Sequence, residues 1–142
     1  MGMDRKLNVS AYLKTMRENP QNTYSRCKRG WRRIGDKRIY FRSRMEANYA
    51  RYLEFSGVKW EYESKTFWFS GIKRGVVSYT PDFFIPDKNI FIETKGWMDD
   101  KSRTKIKRMA KYHPDVKLII VDYKTYKSIE RQVGQIVPGW EK

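Results

Sequence analysis

Apolar positions recur along the chain with two different periods. From Arg44 to about Ser56, the residues Met45, Tyr49, Tyr52, Leu53 and Ser56 fall three and four apart, the stripe of an amphipathic helix, and Gly57 follows as a natural stop. Ser43 and Glu46 stand at capping-box spacing at its start. Val58–Glu63 alternates instead, with Val58, Trp60 and Tyr62 against Lys59, Glu61 and Glu63, as a half-buried strand does. Thr66–Phe69 and Val76–Thr80 continue the β character around a basic Ser70–Gly75 turn. Two short apolar runs, Phe83–Ile85 and Ile90–Ile92, flank Pro86-Asp87-Lys88-Asn89 and predict a β-hairpin. A second helix, capped by Asp99, Asp100 or Ser102, is expected to run to about Tyr112, with Ile106, Met109 and Ala110 inward. Val116–Val121 is a continuous apolar run, expected of a strand covered on both faces. A last helix over Tyr123–Gln132 and a docked Trp140 complete the pattern. The order of these elements implies an α/β fold, a central mixed β-sheet flanked by helices.

The N-terminal stretch reads differently. Residues 1–24 form a polar arm in which Ser10 caps a short helix from Ala11 to about Glu18, and residues 25–142 form the main domain. Tyr24 to Arg44 is the densest basic tract, with Arg26, Lys28, Arg29, Arg32, Arg33, Lys37, Arg38, Arg42 and Arg44 interleaved with Trp31, Ile34, Ile39, Tyr40 and Phe41. The chain carries no internal repeat, low-complexity segment or domain linker.

Charge narrows the class of partner. The 142 residues carry a formal net charge of +15, which calls for a polyanion rather than a small neutral metabolite. Nucleic acid is the first candidate. An anionic membrane is the second, and it is weak because no apolar run is long enough to span one. The start of the chain lacks the apolar core of a signal peptide. Cys27 is the single cysteine, so an internal disulfide and a cysteine-cluster zinc site are both excluded. A reducing, cytoplasmic setting is the expectation. Aromatics make up 15% of the chain; most belong to the core, and some are available to stack on bases. Arg29, Arg32, Arg33, Lys37, Arg38, Arg42 and Arg44, with Lys101, Arg103 and Lys105 on the second helix, are candidate phosphate contacts.

The candidate chemistry sits on the hairpin. Asp82 opens its first strand, and the turn brings Glu93 back beside it. Glu93 and Lys95 share one face of the second strand, because strand side chains alternate. Two carboxylates and an ammonium therefore leave one sheet surface. Clustered oxygens suit a hard divalent cation, and a cation nearby helps to place an activated water. His113, the sole histidine, ends the second helix and is expected to act as a dipole partner. On spacing alone, Glu46 reads first as a helix cap, with a reach from beside the apolar stripe to the metal cluster as the alternative.

Pro81-Asp82, ten intervening residues, then Glu93-Thr94-Lys95 resembles the signature of the PD-(D/E)xK nucleases. Within that superfamily, Phe41-Arg42-Ser43-x-x-Glu46, Gly57–Glu63, Tyr79–Phe83, Phe91–Gly96 and His113-Pro114 are similar to the phage endonucleases that resolve Holliday junctions. The similarity runs from about residue 38 to 122, and Ile136-Val137-Pro138-x-Trp140 extends it. The stretch before Tyr24 and the Ser70–Gly75 loop depart from that pattern. The resemblance implies a restriction-endonuclease-like core and a metal-dependent, structure-selective DNA endonuclease acting on branched DNA. Asp82, Glu93 and Lys95 would be catalytic. Glu46 would complete the site, reversing the preference for a cap. Asp82, Glu93, Glu46 and the Thr94 carbonyl would hold one or two Mg²⁺ ions, with Mn²⁺ as a substitute. The resemblance further implies a homodimer, with an exchanged N-terminal segment bridged by residues 30–42. A homing or restriction-type endonuclease on the same core is an alternative, as is a basic DNA-binding protein without catalysis.

Overall fold

The computed structural model describes residues 28–142. The expected helix near residues 11–18, the arm of residues 1–24, and Arg26 and Cys27 lie outside the described residues. The described chain runs β1 (Gly30–Ile34), β2 (Lys37–Phe41), α1 (Arg44–Phe55), β3 (Glu61–Tyr62), β4 (Phe67–Trp68), β5 (Ser78–Tyr79), β6 (Phe83–Ile85), β7 (Ile90–Lys95), α2 (Asp100–Tyr112), β8 (Leu118–Asp122) and α3 (Tyr123–Val133). The central sheet has the order β3-β6-β7-β8. β6 pairs antiparallel with β3 and β7, while β8 lies parallel to β7. The sheet is therefore mixed, as expected.

The hairpin forms where the sequence placed it. A 3-10 turn over Pro86–Lys88 closes it, and Asn89 takes a left-handed φ of 50° with its amide donating to the Pro86 carbonyl. Asparagine tolerates that conformation better than most residues. Alternation along β6 and β7 divides two layers. Phe83, Ile85, Ile90 and Ile92 meet Tyr49, Leu53, Trp60 and Tyr126 on the α1–α3 side. Phe91 packs with Phe67, Phe69, Tyr79 and Met109 on the α2 side. Phe83 is fully buried, with its ring 5.5 Å from that of Tyr49 and 5.6 Å from that of Tyr62. Burying such a ring contributes about 2–3 kcal/mol, so this contact anchors the strand that carries Asp82.

Several expectations shift. The strand expected over Val58–Glu63 narrows to Glu61–Tyr62, and Glu63 leaves it with a φ of 48°. The buried face of α1 is Ala47, Asn48, Tyr49, Ala50 and Leu53, whereas Ser56 is exposed. Asn48 is buried because its amide donates to the Tyr126 hydroxyl and the Glu141 carbonyl. On α2, Ser102 takes the inward place expected of Ala110, which is exposed. The basic tract folds as a hairpin of its own, β1 pairing antiparallel with β2. Its residues are not short of apolar partners within this chain, since Ile34 and Phe41 enter the main core. His113 caps α2, and its ring Nε2 lies 2.8 Å from the Trp68 carbonyl, docking β4. Trp140 docks as expected, stacked on Tyr126. No helix among the described residues is long and apolar enough to cross a membrane.

Candidate active site

Three elements deliver acids to one end of the sheet. Asp82 precedes β6, Glu93 lies on β7, and Glu46 sits in the first turn of α1. The register of β6 on β7, with Phe83 opposite Ile92, brings Asp82 and Glu93 side by side. The Asp82 amide donates to Glu93 Oε2 at 3.3 Å. Asp82 Oδ2 accepts from both the amide and the hydroxyl of Thr94, each at 2.8 Å. Glu93 Oε2 also accepts from the Tyr79 hydroxyl at 2.6 Å.

Glu46 does two jobs. Its amide donates to Ser43 Oγ at 3.0 Å and its carboxylate accepts from that hydroxyl at 3.2 Å, which caps α1. Its Oε2 also accepts from the Tyr62 hydroxyl, and with Asp82 and Glu63 it forms a triad whose ligand oxygens lie within 4.8 Å of one another. Glu63 is the member that sequence reasoning missed. Its alternation partner Glu61 is exposed, and only the positive φ at Glu63 turns its side chain towards Asp82. Arg42 caps this edge with an ion pair to Glu63 at 3.2 Å. Tyr62 and Tyr79, which hold the acids, were equally silent in the pattern.

The electrostatics report crowding. Burial, then the facing charges of Glu93 and Glu46, push the Asp82 carboxyl well above the usual range, against the Thr94 hydrogen bonds. Burial lifts Glu93 to about 7, although the Tyr79 hydroxyl and the Lys95 ammonium oppose the shift. Burial also raises Glu46. Carboxylates forced together in a dry place are costly unless a cation joins them. The donor set is all oxygen, which fits a hard divalent ion. Glu46, Glu63 and Asp82 could hold one, with Glu93 alongside.

Glu46, Thr94 and Lys95 line a cleft of about 920 Å³ between α1, the end of β7 and α3. Its basic lining includes Arg44, which was expected, and Lys127, Arg131 and Lys142, which were not. The other expected cations divide. Arg29, Arg33, Arg38 and Lys101 are exposed, and Lys105 is half-buried. Arg32 departs from the expectation: its side chain is 12% exposed and pairs with Glu141 at 2.7 Å, because even positions of β1 face inward. Lys37 is likewise drawn in, to the Trp60 carbonyl and ring. Arg103 is paired with Asp100.

The family model described as phage endonuclease I matches residues 28–134. Endonuclease I of Escherichia phage T7 is 36% identical over 93 residues, covering 66% of this chain and 58% of that protein. Endodeoxyribonuclease 1 of Enterobacteria phage T3 is 37% identical over 81 residues, covering 57% of this chain and 52% of that protein. The chain thus spans little more than half the length of these curated relatives. With the family match extending over most of its residues, this chain belongs to the phage endonuclease I family.

Proposed function

We propose that this chain is a Mg²⁺-dependent endodeoxyribonuclease that cleaves four-way junctions and other branched DNA by phosphodiester hydrolysis. The observation that carries the reading is the convergence of Glu46, Glu63 and Asp82, with Glu93 accepting from the Asp82 amide, beside a basic cleft that Glu46, Thr94 and Lys95 line. Membership of the endonuclease family supports it. Mg²⁺ or Mn²⁺ held by the acids supplies Lewis-acid activation of water and phosphate. The protein's own groups do the rest. Thr94 fixes Asp82 with two hydrogen bonds, and the Tyr79 hydroxyl fixes Glu93. The Lys95 ammonium, near enough to Glu93 to lower its pKa, offsets the negative charge that builds on the phosphate during attack. Basic residues along the cleft position the backbone, so DNA shape and phosphate spacing select the substrate rather than base edges.

Cutting both strands across a branch point calls for two such sites, so the proposal includes a homodimer. The test is cleavage of a four-way junction and of a linear duplex of the same sequence with Mg²⁺. The expected result is junction cleavage that Glu93→Gln and Lys95→Ala each reduce at least about 100-fold, the scale of losing one preorganised charge. Equal cutting of the linear duplex at one sequence would instead mark a restriction-type enzyme. Full cleavage by both variants would overturn the catalytic assignment.

A further inference from the structure

The β1–β2 hairpin has an outer face that the catalytic reading does not use. Alternation along β1 and β2 turns Gly30, Arg32, Ile34, Lys37, Ile39 and Phe41 inward, and Trp31, Arg33, Arg38 and Tyr40 outward. Trp31 is 58% exposed and Tyr40 is 43% exposed. The two aromatics are direct cross-strand partners, in edge-to-face contact at 5.7 Å. The Arg38 guanidinium lies 4.5 Å from the Trp31 ring centre. This leaves a small exposed platform of aromatic surface edged by guanidinium.

A second observation says what belongs there. Arg33 and Arg38 are also direct cross-strand partners. Like charges opposite one another in an antiparallel pair are destabilising, so the hairpin holds an arrangement that an anion would relieve. Aromatic faces beside paired arginines suit a base whose phosphates lie next to it. The platform is also continuous with the acids. Arg42 lies two residues beyond Tyr40, about 7 Å along an extended chain, and it pairs with Glu63 of the acidic triad.

We propose that Trp31 and Tyr40 form a stacking site for an unpaired base of the DNA substrate, with Arg33 and Arg38 holding its flanking phosphates. The proposal rests on the nuclease reading above and adds a determinant for branch points, where bases are unpaired. A second copy of this chain is the competing occupant. Self-contact through a two-fold axis would set the Arg33–Arg38 pair of one protomer against the same pair of the other, in a chain already at +15.

The test measures affinity without cleavage, with Ca²⁺ in place of Mg²⁺. The probes are a single-stranded oligonucleotide, a four-way junction with unpaired bases at its centre, and a blunt duplex. Trp31→Ala and Tyr40→Ala should each weaken the first two at least about 5-fold, the lower end of one base–aromatic stack, and change duplex affinity less than about 2-fold. The salt slope should stay unaltered, because stacking releases no counterions. Trp31→Phe should restore most of the affinity. Both positions are exposed, so melting temperatures should match wild type. Alanine variants that bind all three DNAs like wild type would overturn this site and leave the nuclease reading standing. So would weaker binding through a shallower salt slope, or lost self-association with DNA affinity intact. A wild-type chain that binds none of the probes would overturn the nuclease reading itself, and this site with it.

Discussion

Asp82 is held by one residue twice, through the Thr94 amide and the Thr94 hydroxyl. Both bonds favour the ionised carboxylate against burial and against the charges of Glu93 and Glu46. Thr94→Val deletes one of them and keeps the shape. A charge-assisted hydrogen bond contributes about 1.5–3 kcal/mol, so kcat/KM for junction cleavage should fall roughly 10- to 100-fold, and the acid limb of its pH profile should move to higher pH. An unmoved limb would mean that the hydroxyl does not set the charge of Asp82. The same crowding predicts how the metal-free protein responds to pH. Glu93 has a folded pKa of about 7 against an ordinary 4.5, so between those values the folded chain binds more protons than the unfolded one. Stability without divalent ions should therefore fall as pH rises through that window, by up to about 1.4 kcal/mol per pH unit for each such group. Mg²⁺ should reverse this, raising the melting temperature more at pH 8 than at pH 5.5. Equal shifts at both values, read by thermal melts with EDTA and with Mg²⁺, would argue against a cation joining these acids.

At the scale of elements, α1 shows how one turn serves fold and chemistry together. The Ser43–Glu46 capping box satisfies the helix start and also fixes the glutamate that reaches Asp82 and Glu63. The two duties separate by substitution. Ser43→Ala removes the cap and should lower stability by about 1 kcal/mol, with a modest loss of cleavage. Glu46→Gln relieves repulsion among the acids, so at pH 8 without metal it should melt no lower than wild type, while cleavage falls about 100-fold or more. If the glutamine variant retains wild-type cleavage, Glu46 is a cap and nothing else. The elements also show where the sequence was legible. The β6–β7 hairpin and the three helices could be read because a strong period, a turn or a cap marks each one. The β1–β2 hairpin could not, because its outward face mixes arginine with aromatics and its inward face contains Arg32 and Lys37, so no clean alternation survives. Asp82 and Glu93, at the hairpin, were legible from spacing. Glu63 was not, because a single left-handed residue redirected it and no residue type announces that turn.

Across the described molecule, one carboxylate near the C-terminus ties down β1 and α1. Glu141 pairs with Arg32 of β1 at 2.7 Å and with Arg51 of α1 at 2.6 Å, and its amide donates to Asn48 Oδ1. This latch fastens the outer hairpin and the first helix to the tail that carries Trp140. Hydrogen bonds from Arg32, then Arg51, outweigh partial burial and hold Glu141 down at about 2. Its folded pKa lies below the ordinary 4.5, so its contribution is fully present above that value and is lost as pH falls towards 2. Glu141→Gln leaves two half-buried guanidinium groups without a counter-charge and should cost about 1 kcal/mol, a few degrees of melting temperature at pH 7. The gap between wild type and variant should stay constant above pH 5 and close as the solution is acidified below pH 4. Thermal melts across that range decide it: equal melting of wild type and variant at pH 7 would mean that the tail is held by Trp140 and backbone contacts, with the ion pairs adding nothing.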